Sequence, residues 1–284
     1  MIMNDKKSLP LKRHETFSIR EGWLEKAINE FSINANCFSK DKGQRVLGIG
    51  TNMVKSLRYW CTATQLIRFS QFRGNTFNEL GNFLLSNDRY LEQDYSWWLI
   101  HLYLCSNFED APVFNTFFNL NVNRFEKEQL VGYIRNVLEV NYDLGAPSSL
   151  EADVNMIIKS YYSDDKSNPE NNLTCPLSKL GLLEMIDKKT YARKQPKYNS
   201  LDYRVIYHAL TNVLYKDESI NSFNIEDMYE LPNNPLNIFN LSKSSLYQYL
   251  EEMKKKGLIN LVKTAGLNIA TFEKRLSLQE LFQN

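Results

Sequence analysis

The chain has 284 residues, with enough apolar and aromatic side chains to bury real cores, which excludes a disordered chain and leaves room for two or three domains. Its net charge of +1 settles nothing about a polyanionic partner, but the charge is unevenly spread: residues 1–90 carry 14 Lys/Arg against 8 Asp/Glu, residues 91–190 carry 8 against 15, and residues 191–284 carry 12 against 10. The four cysteines, Cys37, Cys61, Cys105 and Cys175, contain no C-x-x-C pair, so spacing supports neither a zinc site nor a redox dithiol, and they read as reduced thiols with Cys61 in a core.

The N-terminal MIMNDKKSLPLKRHETF lacks the apolar stretch of a secretory signal. The most apolar run, Trp97 to Cys105, is about half the roughly 20 residues a spanning helix needs, and His101 interrupts it. A cytoplasmic protein with no membrane contact is the expectation. Ser18-Ile19-Arg20-Glu21 has the form of a capping box, which predicts a helix start there with Ile19, Trp23, Ala27 and Phe31 along one apolar stripe. A short helix near Gln44–Leu47, a Gly48-Ile49-Gly50-Thr51 turn and a longer helix over 52–64 follow. Residues 66–69 and 75–77 flank Gly74 as two short strands. Helix, helix, turn, helix, hairpin is the order of a winged helix.

Residues 78–162 are helical in pattern, aromatic and acidic. QDYSWWLIHLYLCS, APVFNTFFNL, FEKEQLVGYIRNVLE and LEADVNMIIKSYY each place apolar residues three to four apart. SDDKSNPENN, residues 163–172, reads as a linker. From Leu201 the pattern returns in form: LDYRVIYHALTNVLY and IEDMYEL as helices, NNPLNIFN as a turn, SKSSLYQYLEEMKKKG as a helix capped by Ser242 and closed by Gly257, then a hairpin around Ala265-Gly266. The expected fold class is therefore mainly α with short β-hairpins as wings: winged helix-turn-helix modules at both ends of a helical middle region. The expected domains are 1–90, 91–172 and 173–284.

On the helix over 52–64, Met53, Val54, Leu57, Trp60, Cys61 and Thr64 fall on one side, and Asn52, Lys55, Ser56 and Tyr59 fall opposite, with Arg58 on the boundary. A reading helix displays such a second set, its N-terminal residues, here Thr51 and Asn52, against base edges and its free amides near a phosphate. Residues 38–75 hold seven cations, Lys40, Lys42, Arg45, Lys55, Arg58, Arg68 and Arg73, against Asp41 alone, and Arg73 beside Gly74 is placed for a wing contact. A winged helix can equally dock protein. The G-x-G lacks a third glycine and a preceding strand, and Gly50-Thr51 lacks the lysine of a P-loop, so nucleotide folds are set aside. In the C-terminal module Lys243, Ser244, Tyr247 and Gln248 face away from Leu246, Leu250 and Met253. Glu251 and Glu252 share that side, and Lys254-Lys255-Lys256 matches the helix dipole, so DNA and protein contact both remain open there.

His14, His101 and His208 lie far apart, and no H-E-x-x-H, P-loop, nucleophile elbow or metal-spaced cluster occurs, so no catalytic residue, metal or cofactor is expected. A polar site of His14, Glu15 and Arg20 is more often structural, His101 reads as a satisfied core histidine, and Cys175 lacks a matched histidine. Trp97, Trp98, Phe114, Phe117 and Phe118 can stack on bases, yet their helical spacing reads as core.

HETFSIREGWLEKAI, LGIGTNMVKSLRYW and LTCPLSKLGLL, in that order, resemble a bacterial family catalogued as domain of unknown function 4007, over nearly the whole length. The resemblance implies no assigned chemistry. It implies a place beside sulfotransferase-like or phosphoadenosine-phosphosulfate-reductase-like proteins and ATPases in DNA-modification or anti-phage defence clusters, and those proteins as partners. Where the family pattern carries a lysine after the second glycine, this chain has Thr51, which puts one phosphate contact in doubt, and His14, Glu15 and Arg20 match its first motif without an assigned role. The expected function is a non-enzymatic, double-stranded-DNA-binding recognition or regulatory protein of such a system. The alternatives are a protein–protein adaptor without DNA contact and, more remotely, a modification-dependent nuclease subunit.

Overall fold

The computed structural model describes residues 6–40, 42–163, 174–197, 199–264 and 267–283. The chain divides into two compact units, residues 1–194 and 195–284. The boundaries expected near 90 and 172 both fall inside the first unit, and most of the expected linker, residues 164–172, lies outside the described residues.

The first unit runs β1 (Lys7–Ser8), α1 (Trp23–Ile33), α2 (Gly43–Leu47), α3 (Thr51–Ala63), β2 (Ile67–Arg68), β3 (Thr76–Phe77), α4 (Glu79–Asn87), α5 (Asp94–Ser106), α6 (Pro112–Asn119), β4 (Arg124–Glu126), α7 (Lys127–Leu138), β5 (Tyr142–Asp143), α8 (Pro147–Tyr161), a 3-10 turn (Pro176–Leu180), β6 (Leu183–Met185) and β7 (Thr190–Arg193). Among the described residues its three sheets are small: β1 with β5 in parallel, the β2–β3 hairpin, and an antiparallel trio with β7 between β4 and β6. The trio explains why no boundary falls at 172, since Phe125 pairs with Tyr191 across it. Side chains remove the boundary at 90: the Trp60 ring meets Phe114 edge-on at 5.8 Å, and Asn107 Nδ2 donates to the Ala63 carbonyl at 3.1 Å.

Ile19, Trp23, Ala27 and Phe31 are all buried, as their spacing predicts. The helix start differs. It comes at Trp23, after Gly22 in a left-handed turn (φ 77°) with no side-chain cap, while Glu21 pairs with Lys179 at 3.0 Å. A glycine that reverses the chain displaces the capping box, and a reciprocal box forms instead at α7, where the Glu126 amide donates to Gln129 Oε1. Between α3 and α4 the β2–β3 hairpin sits tightly: a Cβ on Gly81 would come 2.3 Å from the Leu66 carbonyl oxygen, so only glycine lets α4 approach the hairpin root.

The second unit runs α9 (Tyr203–His208), a π-helical turn (Ala209–Leu214), β8 (Ser222–Asn224), α10 (Ile225–Met228), α11 (Pro235–Ile238), α12 (Lys243–Lys255), β9 (Ile259–Thr264), β10 (Leu267–Phe272) and α13 (Leu278–Gln283). The cap at Ser242, whose Oγ accepts from the Ser245 amide at 3.1 Å, and the left-handed Gly257 (φ 66°) close α12 as expected. The expected turn at NNPLNIFN is instead the short helix α11, because Asn234 Oδ1 accepts from the Asn237 amide and Pro235 fits the first helical position. The hairpin β9–β10 gains β8 as a third strand, with Ala270 opposite Phe223, and its expected tip at Ala265-Gly266 lies outside the described residues. The protein is thus mainly helical with small sheets, each unit carrying a helix followed by a hairpin.

Candidate nucleic-acid interface

Along α3, Val54, Leu57, Trp60, Cys61 and Ala63 are buried, and Thr51, Asn52, Lys55 and Arg58 are exposed. Two residues assigned to the outer face are not on it. Ser56 is fully buried, its hydroxyl donating to the Phe17 carbonyl at 3.3 Å, and Tyr59 is buried beneath Arg13, whose guanidinium carbon lies 5.6 Å from the ring centroid. The helix is covered from two sides rather than one, because the chain before α1 folds back across it, and this narrows the open face to the row 51, 52, 55, 58. Burial, with Asp153 behind it, pushes the Tyr59 phenol well above its ordinary range, so it serves the site as a protonated support. Arg58, expected at the boundary, is outward and lies over the Phe69 ring at 4.5 Å. Thr51 stands at the start of α3 and accepts from Gln44 Nε2.

The segment folded over α3 is residues 12–17. Lys12, Glu15 and Thr16 have φ of 58°, 50° and 69°, a left-handed conformation that side chains, β-branched ones above all, adopt only when their surroundings impose it. The surroundings here are specific. Trp60 Nε1 donates to the Phe17 carbonyl at 2.9 Å, the Lys12 amide donates to Asp153 Oδ2 at 2.9 Å, and the Thr16 amide donates to His14 Nδ1 at 3.1 Å. His14 is buried, and its Nε2 lies 2.9 Å from Asp153 Oδ1. Sulfur of Cys175 receives a backbone bond from Ile19, so the three motifs singled out in the sequence meet around one core. His14 thereby acts as an anchor, and Arg13 and Glu15 on either side of it are left to face a cleft. The polar site of His14, Glu15 and Arg20 weighed against a structural role is not formed: Arg20 lies over the Phe17 and Trp23 rings, at 5.3 and 5.4 Å.

That cleft has a volume of about 810 Å³ and lies wholly within the first unit. Lys55, Arg58, Tyr59 and Thr62 of α3, Ile67 and Arg68 of β2, Arg13 and Glu15 of the strap, and Asn107, Glu109 and Asp110 after α5 are among its walls. Arg13 Nη1 pairs with Asp110 Oδ1 at 3.0 Å. No carboxylate pairs with Lys55, Arg58 or Arg68 among the described residues, and Lys55 reaches only Asn52 Oδ1, at 3.5 Å. The cleft is therefore lined both by cations with free charge and by carboxylates, one of them paired with Arg13. Arg13, Thr62, Asn107, Glu109 and Asp110 are additions to the residues the sequence singled out. Thr62 comes with α3 itself, the others reach the cleft from segments far off in the chain, and only the adjacency of Arg13 and Glu15 to His14 gave a signal.

Arg73 is exposed at the tip of the β2–β3 hairpin. In the second unit Lys243, Ser244 and Gln248 are exposed and Tyr247 is half-buried. Lys243 Nζ is 3.1 Å from Glu226 Oε2 and 4.4 Å from the Tyr229 centroid, so its charge is already engaged. The Tyr247 phenol is raised by desolvation and by the Glu251 carboxylate it bonds.

His101 sits in the core as expected, Nδ1 2.7 Å from the Tyr161 hydroxyl. Burial pushes the Cys175 thiol up to about 12, which leaves no thiolate for attack at neutral pH. Trp98, Phe114, Phe117 and Phe118 are buried core, with Trp97 at its edge. Among the described residues no three His, Cys, Asp or Glu side chains converge as a metal cage, and no helix is long and apolar enough to cross a membrane.

A family model described as protein of unknown function (DUF4007) matches residues 11–283. Two crystal structures of SspB superpose on the chain with a TM-score of 0.83 and 26% identity: one covers 98% of this chain and 86% of the other, and the second, a magnesium ion-bound form, covers 94% and 84%. No curated protein matches.

Proposed function

Since this chain belongs to the family described as protein of unknown function (DUF4007), membership brings no activity with it, and we propose from the geometry that the first unit binds double-stranded DNA. In this reading α3 with the β2–β3 hairpin works as a winged helix, and the protein is a non-enzymatic recognition or regulatory component of a DNA-modification or anti-phage defence system in the cytoplasm. Sulfotransferase- or reductase-like proteins or ATPases are its partners. The set formed by Lys55, Arg58 and Arg68 carries the reading: three cations without carboxylate partners among the described residues, two of them one turn apart on a helix, with Arg58 laid over the Phe69 ring. Unpaired cations in fixed positions bind phosphates at the least desolvation and ordering cost.

Fluorescence anisotropy of a labelled duplex across a salt series is the test. Lys55→Ala should lower affinity and reduce the slope of log affinity against log salt by about 1, and Glu252→Ala should change neither. Salt-independent binding, or none, would overturn the proposal and favour an adaptor that docks protein partners.

The magnesium-bound relative favours a second reading, in which the same cleft cleaves a phosphodiester. No three acidic side chains converge in the cleft among the described residues, and Asp110 is taken by Arg13, so Glu15 and Glu109 would offer at most the one or two carboxylates that commonly hold Mg²⁺ together with a substrate phosphate. When bound there the ion would supply charge stabilisation to a phosphate already gripped by Lys55 and Arg58. Incubating supercoiled and modified DNA with the protein and Mg²⁺ separates the two readings: nicking lost in Glu15→Gln makes the protein an enzyme, and intact DNA leaves it a binder.

A further inference from the structure

The tip of the β2–β3 hairpin reads Ser70-Gln71-Phe72-Arg73-Gly74, and Phe72 is 96% exposed there. A phenyl ring presented wholly to water keeps its apolar surface available for a partner to bury. The tip is not a loose loop. Ser70 Oγ accepts from the amides of Phe72 (3.3 Å) and Arg73 (3.0 Å), and Asn75 Oδ1 accepts from the Ser70 amide at 3.2 Å. Asn75 Nδ2 then ties the turn to the Ala35 carbonyl at 2.9 Å, and Gly74 (φ 76°) supplies the left-handed corner. Four hydrogen bonds thus hold an aromatic ring outward on a short arm.

The chemistry around the ring selects the occupant. From Lys42 to Asn78 the chain has no acidic residue and carries Lys42, Arg45, Lys55, Arg58, Arg68 and Arg73. An apolar groove on a protein would meet uncompensated cations at its rim, whereas a nucleic acid offers an apolar surface between bases flanked by phosphates on both sides. Resting on the proposal that the first unit binds DNA, we infer that Phe72 is a wedge that enters between two base pairs while Arg73 holds the neighbouring phosphate. A ring inserted this way unstacks one step and bends the duplex, and flexible pyrimidine–purine steps yield most easily.

The test uses the full-length protein and duplexes carrying 2-aminopurine at successive positions around a central TA step. Binding of the wild type should raise 2-aminopurine fluorescence at one step. Phe72→Ala should remove that rise and lower affinity about tenfold with the salt slope unchanged, because stacking is lost and no phosphate contact is. Arg73→Ala should reduce the slope and keep the rise. Phe72 touches no core residue that its loss would unfold, and circular dichroism checks this directly. If the wild type binds duplex without a fluorescence rise, or Phe72→Ala keeps both rise and affinity, the wedge is wrong and the DNA reading stands. If no duplex binds at all, the DNA reading itself has failed and the wedge with it. Binding to anionic phospholipid vesicles that depends on Phe72, with duplex affinity unaffected, would also overturn it.

Discussion

The two units each end a helix in a hairpin, and each helix sends a lysine outward near its start, yet their surroundings differ. Lys55, Arg58 and Arg68 stand on a segment without a carboxylate from 42 to 78, whereas Lys243 meets Glu226 and Tyr247 meets Glu251. The interiors differ as well: the first unit's strap histidine, His14, touches Asp153, while in the second unit burial holds the titration of His208 low. The comparison teaches that a count of cations is a poor guide to a polyanion site. What matters is how many are already satisfied by their own fold, since a lysine engaged at 3.1 Å must break one contact to make another.

Acid should separate the two units most widely. Burial depresses His208 to about 4, against 6.5 for the free side chain. The unfolded chain therefore takes up a proton that the folded unit refuses, so stability is complete above about pH 6.5 and declines as the pH falls toward 4, by about 3 kcal/mol in total. All four tryptophans, Trp23, Trp60, Trp97 and Trp98, lie in the first unit, so tryptophan fluorescence follows that unit and circular dichroism follows both. Thermal unfolding at pH 7 and pH 4.5 should show an acid-sensitive transition by circular dichroism that is blunted in His208→Gln. Identical pH dependence in the two proteins would show that His208 is not the source.

Charge reversal is the next test in size. Lys55→Glu together with Arg58→Glu should weaken duplex binding about a hundredfold at low salt and reduce the salt slope by about 2, and Lys243→Glu should cost less than about threefold. Equal losses at the two ends, measured by anisotropy, would erase the contrast drawn here.

Much of the scaffold was legible because it rests on local rules. The stripe Ile19, Trp23, Ala27, Phe31, the cap at Ser242, the glycine close at Gly257 and the order of α1, α2, α3 and hairpin all follow from spacing and capping chemistry. The outer face of α3 was half legible: Asn52 and Lys55 are open, but Ser56 and Tyr59 are covered by residues 13–17, which lie some forty positions earlier in the chain. Periodicity assigns a helix one buried side, and a second cover from a strained strap has no periodic signature. Continuity across residue 172 was hidden for the same reason, since β4 finds its partner in β7 some 65 residues on, a pairing that three residues of sequence cannot announce. Phe72 went unnoticed because hydrophobic residues are first assigned to cores, and only the fold shows which one is left outside.

The smallest expected effect probes the quieter end. Glu226→Gln removes the carboxylate facing Lys243 and keeps the side chain's size; with both groups more than half exposed, the lost ion pair should change stability by less than about 1 kcal/mol. Its consequence for DNA should nonetheless be measurable. Lys243 then keeps only the Tyr229 ring as a neighbour, and a cation over a ring can still reach a phosphate, so duplex affinity should rise about twofold, with a steeper salt dependence that Lys243→Ala cancels. An unchanged affinity would mean that α12 never comes near the duplex, and the second unit would then be the surface left for protein partners.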